Sequence, residues 1–254
     1  MILGLRRLGT NELVSNGVSS GSMRPAAALH SILSSVFPLS DVIPSRTTPY
    51  VTVSLIGLNA LAFLYELQLS TPELRLFTED FGLVPAYFWL PTVLTSMFLH
   101  AGWMHVLGNM LYLWIFGDNV EDRFGHGLYL AFYLFCGAAA AIGQVALNPG
   151  STVPMIGASG AIAGVMGAYF ILYPHSRILT AVFILIFMDL VEVPALYFLG
   201  IWFLMQLFSG VGSLGTDTMH GGVAFWAHIV GFGAGVVAGL FWRMREAARM
   251  EYWR

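Results

Sequence analysis

A chain of 254 residues that is 57% hydrophobic and 10% charged, with a mean hydropathy of +0.74, lacks the surface of a water-soluble domain. Soluble globular chains carry about a quarter of their residues as charged side chains, so the composition points to a bilayer as the solvent. The formal net charge of −3, with no basic cluster, gives no reason to expect a nucleic-acid partner. The single cysteine, Cys136, cannot form an internal disulfide and reads as a small buried apolar residue.

Residues 1–47 are rich in Ser, Gly and Pro, show no sustained helical periodicity, and are expected to form a mobile cytoplasmic tail. Arg6 and Arg7 are not followed by the clean apolar core of a cleaved signal peptide. A six-helix transmembrane domain is expected over 48–243, followed by a short cytoplasmic tail over 244–254. A helix needs about 20 apolar residues to cross the hydrocarbon core. Six segments meet or approach that length: 51–67, 104–116, 127–147, 155–173, 193–208 and 222–242. The fold class is therefore an all-α polytopic membrane protein. The connection 68–96 mixes Glu73, Arg75, Glu79 and Asp80 with Phe77, Phe81, Tyr87, Phe88, Trp89 and Leu90, which suits the outer lipid headgroup zone. The run 178–208 is too long for one span and is interrupted by Asp189, Glu192 and Pro194. Its first part reads as an interfacial or re-entrant stretch, with the two acids toward the cytoplasmic end of span five.

Every basic residue is an arginine, and all except Arg75 fall on one side of this arrangement. The positive-inside rule then places both termini in the cytoplasm, as in a multi-pass protein of a bacterial-type inner membrane.

Polar groups at membrane depth are costly, so they mark the places to look for function. His105 and Asn109 at the start of span two are four residues apart, share one helical face, and both carry side-chain donors. Ser159 lies in Gly157-Ala-Ser-Gly160, behind Pro154 and ahead of a run of Ala and Gly that permits close helix approach. Its place in the first turn of span four suits an anion, because free backbone N–H groups and the positive end of the helix dipole lie there. In span six, His228, Gly231, Gly235 and Gly239 form one stripe. A histidine on such a stripe faces a close-packed neighbour, and the small-residue face of span four is the evident one. Singly, each cluster has an ordinary explanation in helix packing or interhelical hydrogen bonding. Jointly, one arrangement of three spans brings a nucleophile, a base and two oxyanion donors together. His126, His175 and His220 fall in loops and read as solvated, while His100 reads as a donor supporting this cluster.

With His100-x4-His105-x3-Asn109, Gly-Ala-Ser159-Gly and Ala-His228-x2-Gly-x3-Gly on successive even-numbered spans, the sequence resembles the rhomboid family of intramembrane serine proteases. The resemblance runs from about Pro44 to Trp242. It implies a Ser159 nucleophile, a His228 general base, and an oxyanion hole formed by the Ser159 N–H, His105 and Asn109. The expected activity is that of a serine endopeptidase cleaving transmembrane protein substrates in contact with membrane lipid, with neither cofactor nor metal. Glu121-Asp-Arg123 is similar to the family's Glu-x-Arg element and would be a structural ion pair. The resemblance further implies that the loop 210–220 is a movable cap and that span five admits substrate laterally. Two positions depart from the family's pattern. Ala163 stands where many members carry an aromatic residue that packs on the catalytic histidine, and Leu90 follows Trp89 where many have arginine. No acidic residue is near either catalytic motif, which implies a dyad without a carboxylate.

Two other readings use the same residues. A transporter or channel could run a His105, Asn109 and His228 relay, although the inverted repeats and paired broken helices common in transporters are not evident. A catalytically inactive rhomboid-like binding protein is the second. His-Glu-x-x-His and paired transmembrane aspartates, which metalloprotease and aspartyl chemistries need, are absent from the sequence.

Overall fold

The computed structural model describes residues 36–184, 187–212 and 224–252. The expected tail up to residue 35, His220, the greater part of the proposed cap loop and the first residues of the expected span six lie outside the described residues. Strand β1 (Val36–Asp41) is followed by helix α1 (Tyr50–Glu66), amphipathic helix α2 (Thr71–Phe81), and α3 (Trp103–Phe124). Helices α4 (His126–Leu147) and α5 (Ser159–Leu172) come next, then strands β2 (Arg177–Ile184) and β3 (Phe187–Pro194), and helices α6 (Ala195–Gly212) and α7 (Phe225–Tyr252).

The six expected apolar segments correspond to α1, α3, α4, α5, α6 and α7. Among the described residues, α4, α6 and α7 are long and apolar enough to cross a membrane; α1 and α5 are apolar but shorter. Helix α3 has 22 residues, and its last two turns carry Asp118, Glu121, Asp122 and Arg123. These charges hid the end of the helix from a reading based on hydropathy. Helix α5 begins at Ser159, four residues later than expected, and α7 continues well past Trp242, so that residues 244–252 extend the helix instead of forming a tail.

Two expectations are corrected at the other ends of the chain. Residues 36–47, assigned to the tail, are built into the fold: β1 pairs antiparallel with β2, and Asp122 accepts backbone hydrogen bonds from Arg46 and Thr47. Pro38 is tolerated because β1 is an edge strand, where a missing N–H costs little. The stretch after residue 177, expected to be interfacial or re-entrant, takes an extended conformation instead of starting a helix. It is the β2–β3 hairpin, completing a three-stranded sheet in the order β1-β2-β3, and it removes the fold from the strictly all-α class. The start of β2 follows the period of two expected of a strand, with Arg177 exposed, Ile178 buried, Leu179 half-buried and Thr180 buried. Asp189 and Glu192 accordingly lie in β3, ahead of α6.

Helix α5 is the centre of the packing. Nearly every residue from Gly160 to Tyr169 is buried, and the glycine stripe of α7 lies directly on it. A Cβ at Gly231 or Gly235 would run into the backbone carbonyl of Gly160 or Gly164, and one at Gly239 would meet the Ala168 backbone. Only missing side chains allow the two backbones this close. The fit is the one the stripe predicts, and it fixes His228, one turn before Gly231, opposite the start of α5.

Candidate active site

Ser159 opens α5. The first bond of the helical ladder runs from the Ile162 N–H to the Ala158 carbonyl, at 3.0 Å. The N–H groups of Ser159, Gly160 and Ala161 therefore precede the ladder and point out of the helix end. The chain reaches this point through Gly157, whose φ of +115° is one that side-chain-bearing residues rarely adopt. Its N–H is held by the Ser96 carbonyl at 2.8 Å. The Ser159 hydroxyl donates to Nε2 of His228 at 2.8 Å, joining residues 69 positions apart in sequence.

The two expected donors sit beside the same loop. A Cβ built on Gly157 would lie 2.7 Å from Nε2 of His105 and 3.4 Å from Nδ2 of Asn109. Both side chains are oriented by their neighbours. The Ala101 N–H donates to Nδ1 of His105 at 3.3 Å, so Nε2 carries the ring hydrogen and faces the site. Asn109 donates one amide hydrogen to Nε2 of His100 at 3.0 Å, leaving its second one available. His100 thus acts as an acceptor for Asn109, where the sequence suggested a donor. Its own Nδ1–H donates to the Phe98 carbonyl, and its backbone N–H donates to the buried carboxylate of Glu66 on α1. Four elements therefore converge here: the loop before α5, α3, α7 and, through His100, the end of α1.

The structure also supplies the ring support that Ala163 does not. Helix α6 presents Trp202 and Gln206, one turn apart. The Trp202 ring lies 5.9 Å from the His228 ring at an interplanar angle of 38°. His228 Nδ1–H donates to Oε1 of Gln206 at 2.8 Å. Sequence reading passed over both residues, because each is a single amphipathic side chain inside an apolar run. The available signal was that Gln206 is a lone amide in such a run, four residues after a tryptophan. In the same first turn of α7, the Ala227 N–H donates to Gln144 of α4 at 3.2 Å, which helps to fix the turn that carries His228.

Glu121 and Arg123 do not pair with each other. The Glu121 carboxylate accepts the N–H groups of Val51 and Thr52 at 2.9 and 2.8 Å, capping α1, and also meets His126 at 2.6 Å. His126 therefore has a partner, unlike the solvated loop residue expected. Arg123 instead makes a two-pronged ion pair with Glu246 of α7. A sequence interval of two residues on a helix places side chains on different faces, so each must find a partner elsewhere. His175 is exposed, as expected.

A rhomboid-domain model matches residues 87–245 of this chain. Among curated relatives, the rhomboid protease GluP of Bacillus subtilis is 41% identical over 76 residues, 30% of this chain and 14% of that protein. The mitochondrial rhomboid protein 1 of Saccharomyces cerevisiae is 28% identical over 164 residues, 63% of this chain and 43% of that protein. The putative rhomboid protease YdcA of Bacillus subtilis is 35% identical over 77 residues, 30% of this chain and 38% of that protein. The chain thus spans less than half the length of each of these three relatives. The family match and the apolar helices make it a membrane protein, and some of the named relatives are proteases. With the model covering more than half of its length, the chain belongs to the rhomboid family.

Proposed function

We propose that this protein is an intramembrane serine endopeptidase that cleaves transmembrane protein substrates at Ser159. The observation that carries the reading is the 2.8 Å contact between the Ser159 hydroxyl and Nε2 of His228, formed across α5 and α7. A serine hydroxyl is a weak nucleophile until an adjacent base takes its proton. Here Nε2 takes that proton as the oxygen attacks the scissile carbonyl carbon. The negative charge that develops on the carbonyl oxygen is met by the Ser159 N–H, Nε2–H of His105 and the second amide hydrogen of Asn109. His228 then returns its proton to the departing amine, and water releases the acyl group by the same steps in reverse.

In this reading α1, α3, α4, α5, α6 and α7 all span the bilayer, and both termini face the cytoplasm of a bacterial-type inner membrane. The excess of arginine on that side supports the orientation. The shortness of α5 is consistent with a nucleophile set below the outer surface, in a recess lined by Ser96, Met97, Gly157, Ala224 and Ala227.

The purified protein is expected to be labelled at Ser159 by a fluorophosphonate, with labelling and cleavage of a single-pass substrate both lost in Ser159→Ala. Full activity of Ser159→Ala would overturn the proposal. A folded parent that does not label would favour a binding protein instead.

A further inference from the structure

Gln206 lies on α6, away from the sequence motifs that carry the dyad, yet its amide oxygen is 2.8 Å from Nδ1 of His228. A neutral imidazole carries its hydrogen on one nitrogen only, and the partner of that nitrogen decides which tautomer is held. An amide oxygen can only accept. A ring that donates from Nδ1 to Gln206 therefore presents the lone pair of Nε2 to the Ser159 hydroxyl, which is the form a general base needs. The other tautomer would point an N–H at Ser159 and remove the base. We infer that Gln206 is the positioning residue of this site, an uncharged third member that selects the reactive tautomer of His228 and fixes its ring together with Trp202. The inference rests on the assignment of Ser159 and His228 as nucleophile and base.

The surroundings of His228 favour this role. Among the described residues, Ser159 on α5 is hydrogen-bonded to the ring, His105 on α3 interacts with it electrostatically, and Trp202 adds an aromatic contact. Within that shell, Gln206 accounts for Nδ1 and Ser159 for Nε2, so both ring nitrogens are satisfied. A carboxylate at 206 would serve as acceptor equally well. Leucine, of similar volume, would not, and asparagine is one methylene too short.

The test uses the full chain in detergent, with a fluorophosphonate as probe. In Gln206→Leu the maximal labelling rate at Ser159 should fall about tenfold or more, the effect of losing a buried hydrogen bond, while the probe concentration for half-maximal rate changes less than about twofold. Gln206→Glu should recover the rate and Gln206→Asn should not. Parental labelling rate in Gln206→Leu, or a loss that Gln206→Glu fails to rescue, overturns the inference. Selective ¹⁵N-histidine labelling of the folded parent gives an independent readout, with the His228 signals identified by their absence in His228→Ala. A protonated Nδ1 and unprotonated Nε2 support the inference, and the opposite tautomer overturns it. Ser159→Ala, run alongside, tests the dyad separately: persistent labelling in that variant refutes the protease reading, whatever the Gln206 series does.

Discussion

At Gly157 a single residue serves both chain direction and donor placement. Its left-handed φ and the 2.7 Å that a Cβ would leave to His105 make any side chain there doubly unfavourable. Gly157→Ala should therefore lower turnover about tenfold or more while the protein still folds, a result read by kcat and by the melting temperature in detergent. Asn109→Ala and His105→Ala each remove a donor of the proposed oxyanion hole, and each should cost about a hundredfold in kcat with a smaller change in KM. A double variant with parental kcat would remove both from the oxyanion hole. That Ser159, His228, His105 and Asn109 would come together was legible in the sequence, because polar residues in the apolar segments are few, His105 and Asn109 are one turn apart, and His228 continues a glycine stripe. Gln206 and Trp202 were not. Their partner is 22 or more residues away in sequence, and no local periodicity announces a contact between two apolar helices. The aromatic missing at position 163 signalled that a substitute was needed, but its location emerges only once α6 is placed against α7.

The packing of α5 against α7 is the element-scale counterpart of that site. Gly235 faces the Gly164 backbone, whereas Gly233, two residues earlier on the same helix, has nothing within 4 Å of its missing Cβ. Gly235→Val should cost about 3 kcal/mol by overpacking and depress labelling of Ser159 in parallel. Gly233→Val should leave both the melting temperature and the labelling close to parental. Equal effects of the two substitutions would show that the stripe does not set the approach of these helices. The stripe and its partner could be read from sequence because small residues at steps of three and four leave little choice of neighbour. The β2–β3 hairpin could not, since an apolar run of that length fits helix and strand alike. What settles it is pairing with β1, a segment whose proline and serine content suggested a tail.

For the molecule as a whole, β1 joins distant parts of the chain through Asp41. Its carboxylate accepts the Tyr169 hydroxyl of α5 at 2.6 Å and an amide hydrogen of Asn119 on α3 at 2.9 Å. Burial, with a smaller contribution from Asp118, raises the Asp41 pKa from 3.8 to about 6. The folded state therefore holds this proton more tightly than the unfolded state, and the Asp41 contribution to stability falls as pH rises from about 4 to about 6. Asp41→Asn removes that dependence, so its melting temperature should gain on the parent's between about pH 4 and pH 6.5. A gap that stays constant across this range would show that Asp41 does not titrate there. The same sheet governs the geometry of α6. β3 runs straight into the helix, whose first N–H groups are held by the carbonyls of Ser176 and Pro174 at 2.7 and 3.2 Å. Further along, the buried residues of α6 are only Leu199 and Gly210. The helix is thus anchored by the sheet at its start and rests on α7 through Trp202 and Phe203 against Phe232, with Gln206 about 16 Å from that anchor at 1.5 Å per residue. A tilt of about 5° directed away from α7 would move Gln206 back from His228 by about 1.4 Å, enough to take a 2.8 Å hydrogen bond out of range. In the proposed mechanism a ligand that displaced α6 by that small angle would also release the imidazole, so the position of a single helix would set whether the base is armed.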